Sequence, residues 1–357
     1  MFTFLRAVQF GLLLVIETVI DWIQQQVRRF NPNACIDKIY SVSVVVGSDK
    51  CNAKCRHCGG RSLRADALPG DKGSISGLES ALALCHQYGG WAVSLTGSGE
   101  PTLSPIAVTK TMQEIHRGKE MGIVFPFVNM FTNGFELVNN PLMRTHWLPL
   151  WKKLGLTAVA ISIHDVDREV NRRGYNVSED FNFPELADMV RVVREAGLVP
   201  RVTLLLNRGY CDNVADYRRN LDALKKMGVE MVTSWPLCTP AGERNRFTPS
   251  RWNLLKLRFF LWRNCDRIFN QIWGGGVYNY DGLSARLTTY VSEHKPTNNF
   301  IRQLVVFQDG RISYSWYQKG AFCLGGSKNV ESESTVDHAG DSGLQRQLPG
   351  VRGTQAP

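Results

Sequence analysis

Six times along this chain a run of β-branched and small apolar residues is followed by a stretch with helical spacing. That alternation constrains the fold more tightly than any other feature of the sequence. The runs predicted as strands are Ile39–Val46, Trp91–Thr96, Val124–Phe131, Thr157–Ile163, Val199–Leu206 and Val229–Trp235. Helices are predicted over Ser76–Tyr88, Ile106–Met121, Pro141–Leu154, Phe183–Ala196, Val214–Met227 and Pro249–Gln271. Successive strands separated by a helix pair parallel through right-handed crossovers, since a tight turn joins only antiparallel neighbours. Six such units rather than eight predict an α/β protein with a partial, open-sided (β/α)6 TIM-like barrel. In barrels of this kind the ligand sits at the carboxyl ends of the strands.

The barrel is expected over 37–247, with shorter segments on either side. In segment 1–36, Leu5, Val8, Leu12, Val15, Val19 and Trp22 recur at three- and four-residue steps, the mark of a helix with one apolar stripe. Its uncharged stretch, Ala7 to Ile16, falls well short of the ~20 residues a transmembrane helix needs. Docking on the barrel is the expected fate of this helix, and contact with a membrane surface is the alternative. No basic start or small-residue cleavage site marks a signal peptide, so a cytoplasmic location is expected. Segment 248–326 reads as an α+β extension: a helix, a glycine-rich link GGGVYNYDG, and a β-hairpin from Phe300–Phe307 through Asp309-Gly310 to Arg311–Tyr317. Residues 327–357 are short of large apolar side chains and read as a disordered tail. Lys and Arg outnumber Asp and Glu by 42 to 32, and the net charge of +10 suits a phosphate-bearing partner. Charge alone leaves an RNA partner and an ordinary basic surface both open, because no run of five or six like charges marks a binding arm.

Each predicted strand ends in a polar or glycine-rich segment, which puts all of these segments on one rim. The first is CNAKCRHCGG, in which Cys51, Cys55 and Cys58 place three thiols in a single loop. A cubane iron–sulfur cluster takes four donors, so three from the chain leave one iron open, as a catalytic metal keeps an open position. A structural zinc held by the three thiols and His57 competes with this reading. It is disfavoured because His57 directly precedes Cys58, and adjacent side chains rarely reach one ion together. Nine cysteines, an odd number without secretory context, argue against a disulfide framework. Cys35, Cys85, Cys211, Cys238, Cys265 and Cys323 include no close C-x2-C pair that would hold a further cluster.

The spacing C-x3-C-x2-C, followed one strand–helix unit later by Gly97-Ser98-Gly99-Glu100-Pro101-Thr102, resembles the radical S-adenosylmethionine (SAM) superfamily. The resemblance covers about 40–237 and implies a [4Fe-4S] cluster on Cys51, Cys55 and Cys58 with SAM on the open iron. It also implies reductive cleavage of SAM to a 5′-deoxyadenosyl radical that abstracts hydrogen from a substrate. By the same resemblance, His57 would lie near the adenine through its backbone, and Gly97, Ser98, Gly99 and Glu100 would hold the SAM amino group. Asn133 of Thr132-Asn133-Gly134 would lie near SAM, or serve only a tight turn. Ser162 and His164 would lie near the ribose, Arg201 would meet the carboxylate, and Pro236 of Trp235-Pro236-Leu237 would cover adenine. The closing segment DGRISYSWYQKGAFCLGG resembles a SPASM/twitch-type cap reduced to Cys323. A peptide, protein or small-molecule substrate is expected, with an RNA base as the alternative and a flavodoxin or ferredoxin as reductant. A zinc-stabilised RNA-binding module without catalysis is the reading from another class.

Overall fold

The computed structural model describes residues 38–60, 77–238, 244–270, 276–288, 300–314 and 316, the backbone of 322–324, and three positions, 11, 15 and 19, nearer the amino terminus. The expected tail over 327–357 and most of the amino-terminal helix lie outside the described residues. Gly11, Val15 and Val19 are helical and exposed. Among the described residues no helix is long and apolar enough to cross a membrane.

The six predicted strands form as β2 (Ser41–Val45), β3 (Ala92–Thr96), β4 (Phe127–Thr132), β5 (Ala158–Ile163), β6 (Val199–Leu206) and β7 (Met231–Pro236), preceded by a two-residue β1 (Lys38–Ile39). All six pair parallel in chain order. Between them run α1 (Leu78–Gln87), α2 (Pro105–Glu120), the short α3 (Phe135–Asn139) and α4 (Leu148–Lys153), α5 (Arg168–Tyr175), α6 (Leu186–Glu195) and α7 (Val214–Lys226). Two of these helices, α5 and α7, start where a short polar side chain satisfies the first orphan amides: Asp167 accepts from Glu169 and Val170, and Asn213 accepts from Asp216. Pro149, on the first turn of α4, lacks an amide hydrogen and crowds the preceding carbonyls. This accounts for the wide π-helical turn at Met143–Trp147, where one regular helix over Pro141–Leu154 was predicted.

Alternation along the strands separates two environments. Val42, Val44, Val93, Leu95, Val128, Met130, Val159, Ile161, Val202, Leu204 and Val232 join the helices in one apolar core. The opposite face carries Ser43, Ser94, Asn129, Ala160, Ser162, Arg201, Thr203 and Thr233, which are small or polar. This second face is concave. Phe131 of β4 and Trp235 of β7 stand three strands apart, about 14 Å in a flat sheet, yet their ring centroids are 5.8 Å apart. Barrel interiors are usually filled by bulky branched residues, so small polar side chains here suit a ligand chamber.

The array is wider than the six predicted strands. β10 (Leu283–Leu287) pairs parallel with β7, and β12 (Leu304–Val306) pairs parallel with β2. That makes eight parallel strands, and among the described residues no pairing joins β10 to β12. The sheet nevertheless wraps far round. Burial, and then the guanidinium groups of Arg302 and Arg201, push Arg286 of β10 down to about 9, although Arg302 lies just before β12 at the other edge.

The extension departs from expectation in two places. The helix predicted over Pro249–Gln271 is α8 (Arg251–Asn264), and the chain then turns into β8 (Asp266–Asn270). The supposed link GGGVYNYDG contains β9 (Gly276–Tyr280), which forms a hairpin with β10 around Asp281 (φ 49°) and Gly282 (φ 92°). Asp-Gly is a hairpin signal, since both residues tolerate positive φ. The second hairpin forms as predicted in place but shorter, with β12 antiparallel to β13 (Ile312–Ser313) and β14 (Phe322–Leu324) beyond; a two-residue β11 (Phe300–Ile301) pairs with β1. Trp151 on α4 is fully buried and donates from Nε1 to Thr109 Oγ1 of α2 at 2.8 Å. Trp151→Ala is expected to cost about 3–5 kcal/mol, read as a lower midpoint in urea or thermal unfolding.

Candidate active site at the carboxyl rim

β2 delivers the chain through Gly47 into the cysteine loop, where Cys51, Cys55 and Cys58 are each half-buried. The loop is held from below. Lys54 N donates to the Tyr175 carbonyl at 3.0 Å, Asn176 Nδ2 donates to the Lys54 carbonyl at 3.3 Å, and Ala53 N points at Cys51 Sγ at 3.4 Å. Asn52 links the loop sideways: it accepts from Asn133 Nδ2 at 2.6 Å and donates to Glu136 Oε1 at 3.1 Å.

Glu100 organises the neighbouring turns. Its Oε1 accepts from Thr102 N (3.0 Å), Thr102 Oγ1 (2.7 Å) and Thr132 Oγ1 (2.6 Å), while Oε2 accepts from Asn133 N (2.8 Å). Burial raises its carboxyl above the ordinary range, and these four donors oppose the shift. The Glu100 backbone amide donates to the Lys50 carbonyl at 2.8 Å. One connected network therefore joins the cysteine loop, GSGEPT and Thr132-Asn133-Gly134. Gly99 is required by close approach, because a Cβ there would overlap the Lys50 carbonyl oxygen and crowd Ser48 and Asp49.

At the end of β5, His164 is fully buried and its ring packs edge-on against His57 (4.7 Å between centroids) and Tyr175 (5.0 Å). Its backbone amide donates to Asn171 Oδ1 at 2.8 Å, and Gly174 leaves the room its ring fills. Burial, and then the charge of His57, hold its pKa well below the usual imidazole value. The Tyr175 hydroxyl donates to the Ser162 carbonyl, and burial pushes its pKa well up, with Cys55, Glu100 and Cys51 adding to the effect. Donor atoms of Cys55, His57 and His164 all lie within 4.8 Å of one another.

The structure thus brings together Cys51, Cys55, Cys58, His57, Gly97, Ser98, Gly99, Glu100, Asn133, Ser162 and His164. Arg201 and Pro236 lie outside this network. Arg201 is the third residue of β6, with its guanidinium 5.0 Å from the Phe127 ring and Nε 3.1 Å from Met231 Sδ. Phe127 and Met231 open their strands, so Arg201 serves the floor of the chamber rather than the rim, because an arginine near a strand's start carries its charge there. Pro236 shares the helix-facing side of β7 with Ser234, whose Oγ donates to the Tyr217 hydroxyl, and Trp235 is the residue that faces the chamber. Asn52 and Tyr175 were not singled out from the sequence. Asn52 could have been suspected from its place between the first two cysteines, whereas nothing local marks Tyr175.

No protein-family profile matches the sequence, and no curated protein matches it. Solved structures do. SuiB from Streptococcus suis superimposes with a TM-score of 0.50 at 13% identity, covering 78% of this chain and 60% of that one. A radical SAM methyltransferase from Sphaerobacter thermophilus gives 0.45 at 19% identity, covering 64% and 63%. The enzyme anSMEcpe, with bound AdoMet and a peptide, gives 0.47 at 15% identity, covering 63% and 60%. The chain spans about three-fifths of the length of these structures. Such identities speak for the fold alone, a mixed α/β fold with a parallel-sheet core that this chain shares with SuiB.

Thiol reactivity should follow burial. Burial pushes Cys85 up to about 12 and raises Cys211 as well, so alkylation of the folded, metal-free protein near pH 8 is expected to label Cys51, Cys55 and Cys58 and spare those two, by peptide mass spectrometry. Gly99→Ala is expected to cost about 1–3 kcal/mol and to speed alkylation of Cys51 as the loop is pushed off its seat.

Proposed function

We propose that the chain is a radical SAM enzyme. In this reading Cys51, Cys55 and Cys58 hold a [4Fe-4S] cluster, and SAM occupies the open iron beside GSGEPT. The observation that carries it is the network from Asn52 through Asn133 to Glu100, which seats the three-thiol loop against the two glycine-bearing turns at one rim. The donor set fits the group: three half-buried thiols in one loop, with a backbone amide directed at Cys51 Sγ. When bound, the cluster would supply the electron that cleaves SAM to methionine and a 5′-deoxyadenosyl radical, which then takes a hydrogen atom from the substrate.

The chain's own residues would provide binding and exclusion of water. The carbonyls of the glycine turn would face the SAM ammonium, and Trp235 and Phe131 wall the chamber. A peptide, protein or small metabolite is the substrate class favoured, supported by the closing segment 309–326, which carries β13 and β14 and whose sequence resembles the cap of peptide-modifying relatives. The Cys323 side chain lies outside the described residues. An RNA base is the second reading, supported by the net charge of +10. A flavodoxin or ferredoxin would deliver the electron near the loop.

Anaerobic reconstitution with iron and sulfide is expected to give a brown protein that forms 5′-deoxyadenosine with dithionite and SAM. Alanine at Cys51, Cys55 or Cys58 is expected to abolish both. Colourless protein after reconstitution, or turnover undisturbed in the alanine variants, would overturn the proposal.

A further inference from the structure

The described residues hold one group of cysteine and histidine donors close enough for a metal ion, and it is not the three cysteines. Cys55, His57 and His164 present their ligand atoms within 4.8 Å of one another, whereas the Cys51 and Cys58 sulfurs fall outside that group. The sequence argued against zinc because His57 and Cys58 are adjacent. The fold removes that objection by turning His57 towards Cys55 two residues earlier, and by bringing His164 from the end of β5.

A second observation points to a ligand. His164 is fully buried, and neither ring nitrogen has a hydrogen-bond partner. A buried imidazole normally satisfies at least one nitrogen, since leaving polar atoms unpaired costs about 1–3 kcal/mol each. The ring is also held in place, with Tyr175 at 5.0 Å, Tyr210 at 5.9 Å and Gly174 against its edge. His57 is likewise set between His164 and Phe247, the latter at 5.8 Å.

We propose that Cys55, His57 and His164 form a binding site for a single divalent transition metal of zinc-like character, used when the chain carries no iron–sulfur cluster. One thiolate and two imidazoles with an open fourth position are a donor set that zinc accepts. Metal–sulfur and metal–nitrogen bonds of ~2.3 and ~2.0 Å put donors about 3.5 Å apart, so the three must close by at most about 1.3 Å, a side-chain adjustment. Metal held there withdraws Cys55 from Cys51 and Cys58, so the site and a three-cysteine cluster exclude each other. Metal held there masks the Cys55 thiol alone and leaves Cys51 and Cys58 as free thiols.

Cobalt(II), which reports thiolate and tetrahedral ligation by colour, tests this without iron, sulfide or SAM, so its outcome is separate from that of the enzyme reading. The full-length, reduced, metal-free protein carrying Cys51→Ala and Cys58→Ala is titrated with Co2+. The expected result is one equivalent bound, with a thiolate-to-cobalt charge-transfer band and the visible bands of a tetrahedral ion. His57→Phe or His164→Phe, each keeping a planar ring in place, weakens binding by about 100-fold. If His164→Phe does not fold, as judged by circular dichroism, His57→Phe decides. Absence of the charge-transfer band in the double-alanine protein, or unchanged affinity in the phenylalanine variants, overturns the proposal.

Discussion

Parallel pairing of β2 through β7 is the constraint on which the rest of the structure depends. Because all six strands run the same way, their carboxyl ends meet at one rim, and every segment with chemical character is delivered there. The cysteine loop leaves β2, GSGEPT leaves β3, Thr132-Asn133-Gly134 closes β4, and His164 follows β5. An antiparallel strand inserted among them would send its loop to the opposite end.

Proximity of strand ends does not by itself fix a loop, and here a buried carboxylate does so. Glu100 takes four hydrogen bonds from three positions, and Asn133 passes the connection to Asn52 within the cysteine loop. Such a network is stable only if complete, since each donor left unpaired in the interior costs more than a single bond returns. The glycine at 99 belongs to the same arrangement, because the loop backbone passes where a side chain would stand. Glu100 is therefore a structural tie between turns, whatever ligand the rim receives.

Below the rim the strands present small and polar side chains on the concave face, with Arg201 and Arg286 half-buried among them. Burial pushes Arg201 down to about 10 and Arg286 to about 9. Both stay protonated at neutral pH, so the chamber is positive as well as polar. The apolar face, by contrast, is consumed entirely by helix packing.

The amino-acid sequence determined the strand–helix order, the six central strands and the identity of the rim segments. These follow from local periodicity, and a helical crossover between successive strands of one sheet makes them run parallel. Only the tertiary structure decided that β10 and β12 extend the sheet at its two edges, since their pairings join residues far apart in the chain and leave no local trace. It also decided that Arg201 lies at the floor, that Asn52 and Tyr175 hold the cysteine loop, and that His57 and His164 converge on Cys55. Side-chain convergence of this kind depends on strand tilt and curl, which set where a residue points in space, and periodicity along the chain carries no measure of either.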